Sequence, residues 1–109
     1  MNKITLATAS SLLFLSINAF ADPHFDEAIK HASPAVQAND NAGIIEHSLP
    51  ALEHTMAGAL TAKGVTKTHA DEATKALEKA LDQAKAKKLE AASAAAKSAV
   101  EHLKAANKK

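Results

Sequence analysis

No cysteine occurs in this sequence. That absence excludes disulfide staples, a lipid-anchor thiol and a cysteine nucleophile. Tryptophan and tyrosine are also missing, and there are only three phenylalanines. A haem bundle of the periplasmic cytochrome type would have Met56 and His102 as its axial pair but no aromatic-lined pocket around them. Arginine is absent too, and acids interrupt the lysines of 85–109. That tail could lie on an anionic surface, but it is a poor match to nucleic acid. The three glycines are scattered at Gly43, Gly58 and Gly64, so there is no Gly-rich phosphate loop, and no Ser-His-acid constellation stands in its place. Together these absences argue against an enzyme.

The apolar stretch at the N-terminus is too short for a comfortable membrane span. It reads instead as an export signal: Lys3 is followed by Leu12-Leu13-Phe14-Leu15, and Ala19-Phe20-Ala21 fits the small-x-small cleavage pattern. Residues 1–21 are thus expected to be removed. The single remaining domain, 22–109, works in the periplasm or outside the cell, with no stable membrane insertion. Residues 22–62 carry six acids and only Lys30, for a net charge of −5, whereas 63–109 carry eleven lysines and six acids, for +5. Four of the six histidines fall in the acidic part, where the field attracts cations.

After Ala21 nearly everything reads as helix, because Ala, Lys, Glu and Leu dominate and β-branched runs are absent. Asp22-Pro23 is a cap followed by Pro at the first helical position, and Phe25, Ile29, Ala32 and Val36 form one apolar stripe. The segment 37–41 is the first turn, with Asp40 or Asn41 capping the second helix. That helix has Ile45, Leu49, Leu52, Met56 and Leu60 as its stripe and Gly64 as its stop. Thr68 opens the third helix with Asp71 in a capping-box arrangement, and Ala73, Leu77, Leu81 and Ala84 form its stripe. Pro34 and Pro50 should kink their helices and free the carbonyls of Lys30 and Glu46. No Gly, Pro or Asn marks a turn in 84–88, so local sequence permits one helix from 69 to 106. An internal repeat argues for a turn there. His24-Phe-Asp-Glu-Ala-Ile-Lys returns as His69-Ala-Asp-Glu-Ala-Thr-Lys, and Ala51-Leu-Glu-His54 as Ala99-Val-Glu-His102. The expected fold is all-α, an up-down four-helix bundle of two hairpins, 22–63 and 68–107. Its core is thin and its stability modest.

The histidines follow the same symmetry. His24-x6-His31 and His47-x6-His54 mirror each other about Asn39, which puts His24 level with His54 and His31 level with His47 in an antiparallel hairpin. His69 and His102 are level in the second hairpin, whose inner pair is replaced by Ala76 and Ala95. At about 100° per residue, His24 and His31 flank the core, while His47 and His54 lie almost opposite their stripe and are expected to face solvent. Glu27 stands three residues after His24 and four before His31, on a shared face. Glu72 repeats the first half of that pattern after His69. Imidazole is the commonest protein ligand for Zn, Cu and Ni. Any one of these histidines reads as an ordinary polar residue on a solvated face. The repeated His-x-Asp-Glu starts and the two His-x6-His pairs, taken as a set, point to metal. The candidate ligands are His24, Glu27, His31, His47, His54, His69, Glu72 and His102. His24 is third in the expected mature chain, but an amino-terminal copper motif needs the amide of the second residue, and Pro23 has none.

Several of these segments resemble the small metal-binding protein family of exported bacterial proteins: His24-Phe-Asp-Glu-Ala-Ile-Lys-His31-Ala, Ile44-Ile-Glu-His47, His54, His69, Ala73-Thr-Lys and Ala99-Val-Glu-His102-Leu-Lys-Ala. The resemblance covers 24–105. It implies a periplasmic four-helix bundle that binds divalent metals at several surface sites, Cu(II) first and Ni(II) or Zn(II) after it. It also implies a role in sequestering or buffering metal ions. Family members are richer in histidine, and Ala76, Ala95, Pro34 and Pro50 depart from their pattern. The expected protein is a monomer whose partners are metal ions. The rival reading is a structural or interaction bundle of the cell envelope without metal.

Overall fold

Small or apolar side chains recur at alternating steps of three and four along the chain. Phe25, Ala28, Ala32 and Ala35 follow this spacing, and so do Ile44, Ser48, Ala51, Thr55 and Gly58. Ala70, Ala73, Leu77, Ala80 and Ala84 continue it, and Ala92, Ala96, Ala99, Leu103 and Ala106 complete it. A step averaging 3.5 residues keeps one seam of each helix against its neighbours. In the computed structural model, which describes residues 23–108, every one of these residues is buried. The four helices are α1 (Pro23–Gln37), α2 (Asn41–Thr61), α3 (Gly64–Lys85) and α4 (Leu89–Ala106), and there is no strand among the described residues. Each helix packs on the next and α4 closes against α1, which gives the expected up-down bundle. The expected export signal and the expected Asp22 cap lie outside the described residues.

The core is built mainly of alanine. Its largest fully buried side chains are Phe25, Ile44, Leu77 and Leu103. Alanine seams let helix axes approach toward the short end of the usual 8–10 Å range. One contact shows how close α1 and α2 come: a Cβ placed on Gly58 would lie 2.6 Å from Cε1 of Phe25. The stripe expected on α2 is therefore right only in part: Ile45 and Leu52 are half-buried against the core, and the rest of it is not. Leu49, Met56, Leu60 and the following Val65 are 45%, 47%, 86% and 71% exposed. The helix is rotated so that Ser48, Ala51, Thr55 and Gly58 face inward, because bulky residues there would hold α1 and α2 apart. The Thr55 hydroxyl donates to the carbonyl of Ala51 at 2.7 Å, which satisfies it without a partner from another helix.

The first turn is as expected: the Asp40 side chain accepts from the Gly43 N–H at 2.8 Å and caps α2. At the second junction Gly64 does not stop α2. It has φ +60° and begins α3, four residues before the expected start. Asp71 takes the Lys67 ammonium at 2.9 and 3.1 Å instead of closing a capping box. The third junction settles the alternative of one long helix in favour of a turn. Lys87 adopts φ 63°, its N–H donates to Ala84 O at 2.9 Å, and the Lys88 N–H donates to Gln83 O at 2.9 Å. That pair of bonds is the Schellman arrangement, here with lysine in the left-handed position that usually holds glycine. Pro34 and Pro50 both sit inside continuous helices.

Candidate metal centre

His24, Glu27 and His31 share the edge of α1 that borders α2, as their three- and four-residue steps require. His24 is exposed, whereas Glu27 and His31 are half-buried. Across the seam stands His54 of α2, also half-buried. Its ring centroid lies 5.6 Å from that of His31, with the rings within 5° of parallel, and 5.8 Å from that of His24 at 34°. One donor atom from each of Glu27, His31 and His54 falls within 4.8 Å of the others. Donors on a single ion with bonds of about 2 Å sit roughly 3–4 Å apart, so small side-chain rotations suffice to close the set. Among the described residues this is where three such donors converge.

His54 was expected to face solvent, and the rotation of α2 that buries the small-residue seam corrects this. With Thr55 and Gly58 turned inward, position 54 swings onto the border with α1. The level pairing of His24 with His54 is observed, but His31 meets His54 and not His47. The reason is the tilt of helical side chains toward their own N-terminus. In an antiparallel pair, His31 leans away from the 38–40 turn while His54 leans toward it, so the two rings meet. His47 leans toward the turn and away from His31. It is half-buried, and among the described residues it contacts no other histidine ring.

Two imidazoles and a carboxylate form a mixed nitrogen and oxygen donor set suited to Cu(II), Ni(II) or Zn(II). A third imidazole, His24, lies beside it. The Lys30 ammonium rests 3.5 Å from Glu27, with the two side chains 71% and 45% exposed. A pair so wet is weak, and a divalent ion would displace it.

The second hairpin copies the outer part of this arrangement. The rings of His69 and His102 are 5.9 Å apart at 33°, against 5.8 Å and 34° for His24 and His54. Nδ1 of His69 is buried and has no hydrogen-bond partner. Glu72 is exposed and lines, with His102, an open groove of about 490 Å³ between α3 and α4. Ala76 and Ala95, the positions expected to have lost an inner histidine pair, both form its wall. Sequence symmetry had brought His69 and His102 together. It had not shown that an open groove takes the place of the third ligand.

A family model described as small metal-binding protein matches residues 1–106. No curated protein and no solved structure matches the chain. The family match runs through both hairpins and includes every residue of the Glu27–His31–His54 cluster, and its description agrees with the donor chemistry found there. The chain belongs to the small metal-binding protein family.

Proposed function

We propose that this protein is exported to the periplasm and there sequesters or buffers divalent transition metal ions as a monomer, without catalysing a reaction. The observation that carries the reading is the convergence of Glu27, His31 and His54 on one seam. The N-terminal sequence expected to be an export signal, the acidic field of the first hairpin and the family membership support it. Cu(II) is the first choice because nitrogen and oxygen sites bind it most tightly among the divalent first-row ions, with Ni(II) and Zn(II) behind it. His31 and His54 supply imidazole nitrogens, Glu27 contributes a carboxylate oxygen, and His24 is placed to add a third nitrogen.

Calorimetric titration of the mature chain with Cu(II), Ni(II) and Zn(II) tests the proposal. Binding in the micromolar range is expected, strongest for Cu(II). Replacing His24, His31 and His54 together by Ala removes the heat of the first hairpin's site, while His47→Ala alone leaves it nearly intact. The rival interaction bundle draws on the exposed Leu49, Met56, Leu60 and Val65. It predicts no binding heat from any of the three ions, and that result would overturn the metal reading.

A further inference from the structure

The two hairpins are not equivalent as metal sites, and the difference lies at one position. His31 and Ala76 are the seventh residues after His24 and His69, at corresponding places in the repeat. In the first hairpin that place holds the imidazole that completes the three-donor cluster. In the second it holds a methyl group, and an open groove runs beside it. The remaining parts are conserved in geometry: two imidazoles at nearly the same spacing and angle, and a glutamate on the same edge. The buried Nδ1 of His69 has no protein partner, an arrangement that costs free energy unless something else satisfies it.

We propose that His69 and His102 form a second, coordinatively open metal site whose vacant positions are filled from the Ala76 groove by a small anionic ligand. Two imidazoles leave at least two positions of a four-coordinate ion unfilled. Glu72 and His102 line the groove and His69 does not, so the groove reaches the site from the His102 side; Glu72 does not converge with the two rings. The same groove is edged by Lys75 and Lys79, whose ammonium groups favour an incoming anion over a neutral ligand. The first hairpin therefore holds its ion with protein donors, whereas the second presents its ion to exchange with small carboxylates or comparable anions. Metal can enter or leave the protein by way of such a ternary complex.

The inference rests on the proposed metal-binding function, and its test separates the two. The full mature chain with His24, His31 and His54 changed to Ala is brought to equilibrium with micromolar Cu(II) by dialysis, its bound copper is counted, and it is titrated with azide. Circular dichroism checks that it remains helical. One retained copper is expected, together with an azide-to-copper charge-transfer absorption. Adding Ala76→His supplies the missing imidazole: copper affinity rises at least tenfold and the azide absorption is lost. Lys75→Ala with Lys79→Ala weakens azide binding several-fold and leaves copper retention unchanged. If wild-type protein binds copper but the His24, His31 and His54 variant retains none, the second site does not exist and the proposed function stands. If the variant retains copper but azide gives no absorption, the site is closed and the open-site proposal is wrong. If wild-type protein binds no copper at all, the metal reading itself fails.

Discussion

At the scale of single residues, close packing explains more of this protein than hydrophobicity does. Gly58 is required by the Phe25 ring that lies against it, not by its backbone conformation. Gly58→Ala would gain up to about 1 kcal/mol of helix preference but force the ring aside, and overpacking of that kind costs about 1–3 kcal/mol. The variant is expected to be less stable by about 1 kcal/mol, a fall of roughly 4–8 °C in Tm for a domain this small, measurable by thermal circular dichroism. An increase in Tm would mean that α1 and α2 are not as tightly apposed as described. The same contact shows why part of the candidate site was illegible. The sequence of α2 carries two superimposed stripes, Ile45, Leu49, Leu52, Met56 and Leu60 against Ser48, Ala51, Thr55 and Gly58. Side-chain size favours the first, and proximity of the neighbouring helices selects the second. Choosing between them decides whether His54 points at water or at His31. Ser48, Ala51, Thr55 and Gly58 at alternating steps of three and four are the available signal.

At the scale of elements, the helices themselves were readable because their stripes and caps lie within short stretches of chain. The α3 stripe of Ala73, Leu77, Leu81 and Ala84 is buried as expected, and Asp40 caps α2. Asp40→Ala is expected to cost about 1 kcal/mol, within the usual range for losing an N-cap. The α3–α4 turn had no local signal, since lysine occupies the left-handed position at 87. Only the internal repeat revealed it. A non-glycine residue in that conformation is strained by roughly 1–2 kcal/mol, partly offset because glycine has more freedom to lose on folding. Lys87→Gly should therefore stabilise the protein by about 0.5–1 kcal/mol, seen as a higher denaturant midpoint with an unchanged slope. A lower midpoint would contradict the Schellman geometry. Gly64 works in the opposite direction: glycine at a helix boundary reads as a stop, whereas its left-handed backbone begins α3.

At the scale of the whole molecule, fold and metal are separable. The buried seams of all four helices use no histidine, so the protein freed of metal is expected to be fully helical by circular dichroism. Metal then adds only the mass-action term for a ligand that prefers the native state, about 2.7 kcal/mol at a concentration a hundred times Kd. A chelator-treated protein that was coil and became helical with copper would refute this. Binding should also weaken steeply between about pH 7 and 5. Over that range protons compete for imidazoles, whose ordinary pKa is about 6.5, and bound metal requires the neutral ring. Affinity unchanged across that window would mean that carboxylates, not histidines, hold the ion. The most direct test of the central claim is a Zn(II) titration followed by NMR of the histidine ring resonances, with each ring assigned. The Glu27–His31–His54 site predicts that His31 and His54 shift together with the first additions while His47 stays in place. Movement of His47 together with or ahead of those two, or of His31 without His54, would contradict it.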